Sequence, residues 1–483
     1  MDRVYSRAFA TIIIIPGSDA ASGIPGIRPG TRTPLNTETI SISDRSATLE
    51  LNPCSSHIEQ VQITASPSPL TLAMDSSTWN TRGWTFQERL LSARCIYITH
   101  NAIYFHCHRD ILLCETGQAT SPATPALSLL NNPLHELQRL DGRVLVNNRI
   151  GTAGNDEALL RVVFGVYKGL VAGYSPRKLT FLGDVLNAFA GVFAVITQHL
   201  PGAVALCGLP GAFLDLALLW TPVNPLQRRE EAVAGLRDLL AATDSNGRCP
   251  GWSWAGFVGP VDYRMFGEDE DKRPLPVSLV VDGFKVVHGG KVLRVAGRGV
   301  REDDEANQSV MRIGDAAGSD SVSALTDYGP NILQFKAFVV PVTAFLRGAR
   351  SEYLCVLGQS HATGQQAVYR LYDQDRRHCG LCYEPMVPLG DIARAGQSSF
   401  IGIVRHGETD IPFKGPNRVE GDIPLFDRSA YKACGPGSGV VDALLVVWDK
   451  DQRDCIARRV SVARIHVKAW ERAGPVSKNI ALC

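Results

Sequence analysis

Neither charge is in excess in this chain. Its 49 Lys and Arg stand against 48 Asp and Glu, a formal charge of +1. It therefore lacks the basic surface that a general nucleic-acid binder needs to displace phosphate counterions. Cysteine is sparse as well: twelve in 483 residues, irregularly spaced. That excludes a disulfide framework and makes buried thiols in a reducing cytoplasm the expectation. No long apolar run is free of charge and of helix breakers. The most apolar window, residues 204–223, holds Asp215 and Pro210 and reads as a buried helix-turn-helix, not a membrane span. The apolar run at residues 8–15 follows Arg3 and Arg7 as in a signal peptide, but Asp2 and the Pro16-Gly17 stop suit a short helix leading into a buried strand. Repeats of solenoid length are missing too. What remains is 45% hydrophobic and 20% charged, enough to bury a substantial core. The length suggests about three folding units.

Three stretches differ in pattern. Residues 1–115 combine a short helix, a strand over 12–15, a Gly/Pro-rich loop over 17–34, a Ser/Pro/Thr-rich excursion over 54–76, and two strands around a His100-Asn101 turn. Residues 116–245 read as helical, with apolar residues at three- and four-residue spacing over 158–175 and 183–200. Asp184 is placed to cap the second of these, and residues 228–243 suggest a third, more polar helix. Residues 246–483 turn to strand, as in PVSLVVDGFKVV, FKAFVVPVTAFL, FIGIVRH and ALLVVWD. The acidic stretches 268–272 and 298–310 read as solvated loops.

Several short patterns mimic chemistry. Gly251-Trp252-Ser253-Trp254-Ala255 has the letters of a hydrolase nucleophile elbow, but a polar loop precedes it where a buried strand is needed. The two tryptophans read better as one face of a strand plugging the domain. Val404-Arg405-His406-Gly407-Glu408-Thr409 matches the opening of histidine phosphatases, yet too little chain follows to hold the partner groups, so a strand end is the better reading. His378-Cys379-x-x-Cys382 has no second pair to complete a zinc site. In the strand around Cys107, His106 and His108 share one face while Cys107 points to the other; with Cys95, His100 and Cys114 nearby, a metal is a minor alternative.

One segment is more specific. Thr81-Arg82-Gly83-Trp84-Thr85-Phe86-Gln87-Glu88-Arg89-Leu90-Leu91-Ser92 resembles the hallmark near the end of the fungal heterokaryon incompatibility (HET) domain, an arginine-glycine-tryptophan-threonine-x-glutamine-glutamate run followed by an arginine and two strands ending in a cysteine. Arg94, Tyr97, Phe105 and Cys107 continue that pattern, and Tyr5, Thr11, Ile12, Gly17, Asp19 and Arg32 are similar to the helix-to-strand step upstream of it. Tyr174-Ser175-Pro176-Arg177, Leu218-Leu219-Trp220, the Trp252-Ser253-Trp254 run and the closing strands also look like the regions that follow the domain in HET proteins. The family's usual opening, with a serine-tyrosine-x-tryptophan strand end, does not precede the motif here. Residues 1–115 are therefore expected to be the second half of a HET domain, the chain being a truncated one.

The resemblance implies an α+β chain. Its first part would be a partial α/β half-domain like the Toll/interleukin-1 receptor fold, followed by a helical region over 116–245 and a β-rich region over 246–483. It implies a role in fungal non-self recognition, as a signalling or cell-death effector acting in the cytoplasm through protein partners, with no nucleic acid and no membrane. Some proteins of the Toll-like fold cleave NAD with a glutamate, and the resemblance offers Glu88 as that catalytic carboxylate, with Arg82 and Trp84 as phosphate and base contacts and NAD as substrate. The bland alternative places Gln87, Glu88 and Arg89 on a helix whose ions face each other or water, with Trp84 in the core. An inactive gene product is the third reading.

Overall fold

The computed structural model describes residues 2–17, 19, 21–33, 35, 37–41, 60–64, 67–107, 111–113, 132–134, 137, 153–200, 205–229, 248–266, 273–288, 291–295, 332–357, 361–383, 398–410, 424–449 and 456–483. Of the helix expected over 228–243, Arg228 and Arg229 are described and are not helical, Arg228 lying in a two-residue strand; its other residues, the acidic stretches, His108 and Cys114 lie outside the described residues. The chain divides into two compact units, one running to residue 130 and the other from 131 to 483. It is a mixed α+β protein.

The first unit begins with α1 (Asp2–Arg7) and β1 (Thr11–Ile14), then β2 (Thr37–Ser41) paired antiparallel with β3 (Gln60–Thr64). Next come α2 (Leu70–Asp75), α3 (Gly83–Leu91), and the strands β4 (Arg94–Ile98), β5 (Ile103–Cys107) and β6 (Ile111–Leu113). β1 runs parallel to β4, while β4, β5 and β6 are antiparallel neighbours. The period of two sorts the side chains. Ile13, Cys95, Tyr97 and Tyr104 point to the face covered by Leu70 and Met74 of α2 and are buried with them. Ile12 is largely exposed on the opposite face, which Ile14, Ile96, Ile98, Ile103 and Phe105 continue as half-buried residues. That outer face is apolar without being a core.

In the second unit, α4 (Ala153–Tyr174) buries Val163, Phe164, Val166, Tyr167, Leu170, Val171 and Tyr174, the three- and four-residue spacing of one helical stripe. It packs with α5 (Asn187–Thr197), as in the tilted stack of Tyr174 on Phe189 at 4.9 Å. Asp184 does not cap α5. Leu186 occupies the N-cap, and the Asp184 carboxylate instead accepts from the Asn187 side chain. Residues 205–223 are broken into short pieces by Gly208 and Pro210: β7 (Ala205–Leu206), β8 (Leu209–Pro210), α6 (Leu214–Ala217) and β9 (Thr221–Pro222). Further two-residue strands, β10 (Gln227–Arg228), β11 (Phe257–Val258) and β12 (Val261–Asp262), pin the loops between them.

The remaining strands build one sheet. They are β13 (Val277–Ser278), β14 (Val281–His288), β15 (Lys291–Val295), β16 (Leu333–Pro341), β17 (Leu346–Leu357), β18 (His361–Tyr372), β19 (His378–Tyr383), β20 (Ser398–His406), β21 (Val440–Trp448), β22 (Ile456–His466) and, after α7 (Val467–Arg472), β23 (Val476–Leu482). The order is β15-β14-β16-β20-β21-β22-β19-β18-β17, with β13 beside β20 and β23 beside β16 and β22. β20, β21 and β22 are buried nearly throughout, so both faces are covered, and their valine-, isoleucine- and leucine-rich runs suit that position.

Candidate functional site

The residues of the RGWTxQE motif lie on α3. A short turn at Trp79–Thr81 leads in, Arg82 sits at the N-cap in an extended conformation, and the Thr85 hydroxyl donates to the carbonyls of Trp79 and Arg82 at 2.7 and 2.8 Å. The other end is closed by Ser92, whose hydroxyl donates to the Glu88 carbonyl at 2.5 Å and lies 2.6 Å from the Thr11 hydroxyl on β1. Gly83, Phe86, Gln87 and Leu90 are buried, which is one helical stripe. Trp84 and Glu88, four residues apart, neighbour each other on a half-buried face, and Arg82 is exposed at the helix start.

Glu88 has a partner that the sequence does not announce. The Tyr5 hydroxyl of α1 donates to its carboxylate. Burial pushes the Glu88 carboxyl above the usual range, while the Tyr5 hydrogen bond and the Arg82 charge pull it back. Burial and the adjacent carboxylate together raise the Tyr5 phenol. Arg89 faces elsewhere: its charge acts on Asp75, whose carboxyl burial raises, and on Cys95 and Tyr97. A half-buried carboxylate between a phenol and a guanidinium can stabilise a developing positive charge on a ligand. Sequence reasoning took Tyr5 only as part of a pattern, since its partner lies on the third helix.

The model of the heterokaryon incompatibility protein (HET) family matches residues 1–88. The chain carries a HET segment. The match spans α1 to α3 and ends on Glu88, and it suggests a heterokaryon incompatibility-related function. The similarities noted for Arg94 to Cys107 and for the second unit lie beyond the matched residues of the HET segment. No curated protein matches the chain, and no solved structure does.

The other patterns resolve into structure. Trp252 and Trp254 are both buried, but in a turn and a short 3-10 helix (Trp254–Gly256) instead of a strand. Ser253 is consumed by the main chain, its hydroxyl donating to the Cys207 carbonyl at 2.7 Å and accepting from Ala255 N–H at 3.0 Å. His406 closes β20 and contacts the Asp442 carboxylate at 2.9 Å. Arg464 binds the same carboxylate twice, Nε to Oδ1 at 2.7 Å and Nη2 to Oδ2 at 2.8 Å, and Nη2 also donates to the Met265 carbonyl at 2.9 Å. Burial alone would raise the Asp442 carboxyl, but Arg464 and His406 outweigh it and hold it at about 2. In β19, Cys379 and Cys382 differ in strand parity, so their thiols face opposite sides of the sheet. Burial pushes both thiols up, Cys382 to about 12. Cys95 and His106 are cross-strand partners, yet burial also raises the Cys95 thiol. Among the described residues no group of three or more His, Cys, Asp and Glu could hold a metal. No described helix is long and apolar enough to cross a membrane.

Proposed function

We propose that the protein is a signalling or effector component of fungal non-self recognition, acting in the cytoplasm through protein contacts, with a Toll/interleukin-1 receptor-like half-domain in its first unit. The HET match over residues 1–88 carries this reading. Two features support it. The parallel β1–β4 pair, with α2 and α3 between the strands in sequence, is a β-α-β arrangement of the kind such a half-domain contains. The exposed Val4, Phe9, Ile12 and Ile27, all in that unit, are the large apolar side chains a protein-contact surface needs. The test is induced expression in a filamentous fungus, with growth arrest as the readout, beside a variant carrying Phe9→Asp and Ile12→Asp. Arrest by the wild-type chain and relief by the variant are expected. Normal growth at confirmed expression refutes the reading.

A second reading rests on Glu88. Its place beside Trp84 on one helix face, near Arg82 and partly withdrawn from water, suits a carboxylate that supports NAD cleavage by stabilising an oxocarbenium-like state. Incubating the purified chain with NAD and following nicotinamide release tests it. Turnover should vanish in Glu88→Ala, and absence of turnover at high protein concentration rejects it.

A further inference from the structure

The sheet of the second unit buries an arginine that has no acid beside it among the described residues. Along β22 the register with β21 slips: Leu445 faces Ser461, while the next residue, Val446, faces Arg459. The extra residue, Val460, is a bulge. It brings Arg459 to the same face as Val462 and Arg464 and leaves Arg458 exposed, the reverse of what an unbroken strand would do.

On that face Arg459 is only 5% exposed. Its guanidinium carbon lies 3.6 Å over the centre of the Trp220 ring, and Nη2 donates to the Trp220 carbonyl. Nε and Nη1 meet no acceptor among the described residues. Two other buried arginines of this unit show the contrast. Arg464 is bound twice to Asp442, and Arg229 donates Nε, Nη1 and Nη2 to the carbonyls of Ala255, Leu182 and Phe257. The indole beneath Arg459 attracts the charge through its face but accepts none of the N–H bonds that lie in the guanidinium plane. Burial weakens the hold of Arg459 on its proton, down to about 9, and the Tyr263 phenol, itself pushed up by burial, opposes this. A charged, desolvated fork with unmet donors is the arrangement proteins use for anions. Trp220 and Tyr263 beside it are both buried, so the ligand must be small.

We propose that Arg459 is the cationic wall of a buried site for a small inorganic anion of halide size, received by its Nε and Nη1 groups beside Trp220, which ties β22 to the segment after α6. The anion neutralises a charge that no described acidic side chain balances.

The test uses the full chain exchanged into sodium gluconate and titrated with sodium bromide at constant ionic strength. Thermal unfolding should shift upward and saturate, by about 5 °C when bromide is in large excess over its dissociation constant. The shift should be lost in Arg459→Gln and kept in Arg458→Gln, which alters only the exposed neighbour. Crystals grown with bromide should show an anomalous peak within about 3.5 Å of Nε or Nη1. Should Arg459→Gln fail to fold, that peak decides. An equal shift in Arg459→Gln, a response that never saturates, or density for water with no anomalous peak overturns the proposal. So does a peak without any thermal effect, which would mark an adventitious ion only.

Discussion

Removing the acid at the centre of the Asp442–Arg464–His406 cluster tests whether this sheet depends on a buried charge pair. Asp442 and Arg464 are directly paired across β21 and β22 and almost wholly buried. Leaving either charge without its partner is expected to cost about 3–5 kcal/mol, the penalty for an uncompensated buried ion. Asp442→Asn and Arg464→Leu should each show that loss in urea unfolding at pH 7. The double variant Asp442→Leu with Arg464→Met should lose no more than either single one, since it buries no unpaired charge. The pH dependence provides an independent check. The carboxyl is held at about 2 in the folded chain against a reference of 3.8, so its stabilisation is fully present above about pH 5 and fades as pH falls through the folded value. The full difference is about 2 kcal/mol, of which about 1 kcal/mol should be gone by pH 3. Wild-type stability minus that of Asp442→Asn must therefore shrink by about 1 kcal/mol between pH 7 and pH 3. A gap that stays constant with pH, or a double variant as costly as the two singles added together, would refute the reasoning.

Three further outcomes are expected. Tyr5→Phe removes the donor that lowers the Glu88 carboxyl, so Glu88 should titrate at higher pH than in the wild type, as followed by carboxyl-carbon NMR; an unmoved titration would show that the two side chains do not bond in solution. Gly380→Ala would place a Cβ 2.4 Å from the Arg464 carbonyl and 2.9 Å from the Ile465 Cα, main-chain atoms of the neighbouring strand, and should lower stability by about 2 kcal/mol or more in thermal unfolding. Ser253→Ala should cost about 1–3 kcal/mol of stability by removing its buried hydrogen bonds to the Cys207 carbonyl and the Ala255 N–H, and reactive ester or fluorophosphonate probes should label neither wild type nor variant at this position.

How much of this was legible depended on the range of the interactions. Local patterns survived. The two strands expected around the His100-Asn101 turn within residues 90–107 are β4, β5 and their connection, and the helical spacing over 158–175 falls in α4 but for its last residue. Asp184 looked like a cap because its spacing was right, but backbone geometry beginning at Leu186 set the start of α5. The Trp-Ser-Trp run alternates like a strand and is folded as a turn, because Ser253 bonds backward to Cys207 and forward to Ala255.

By itself the sequence determined the class of the chain and its most telling segment. Near-zero net charge, sparse cysteine and the Arg82-to-Glu88 motif all depend on composition or on neighbours within a helical turn or two. Only the tertiary structure decided what those residues touch. Tyr5 reaches Glu88 from another helix, His406 and Arg464 converge on Asp442 from the two strands that flank its own, and Arg459 turns inward through a one-residue slip in register. Each depends on pairing between distant segments. A bulge leaves no mark in the alternation that would distinguish Arg458 from Arg459, because the partner strand sets the register and with it which of two adjacent arginines is buried.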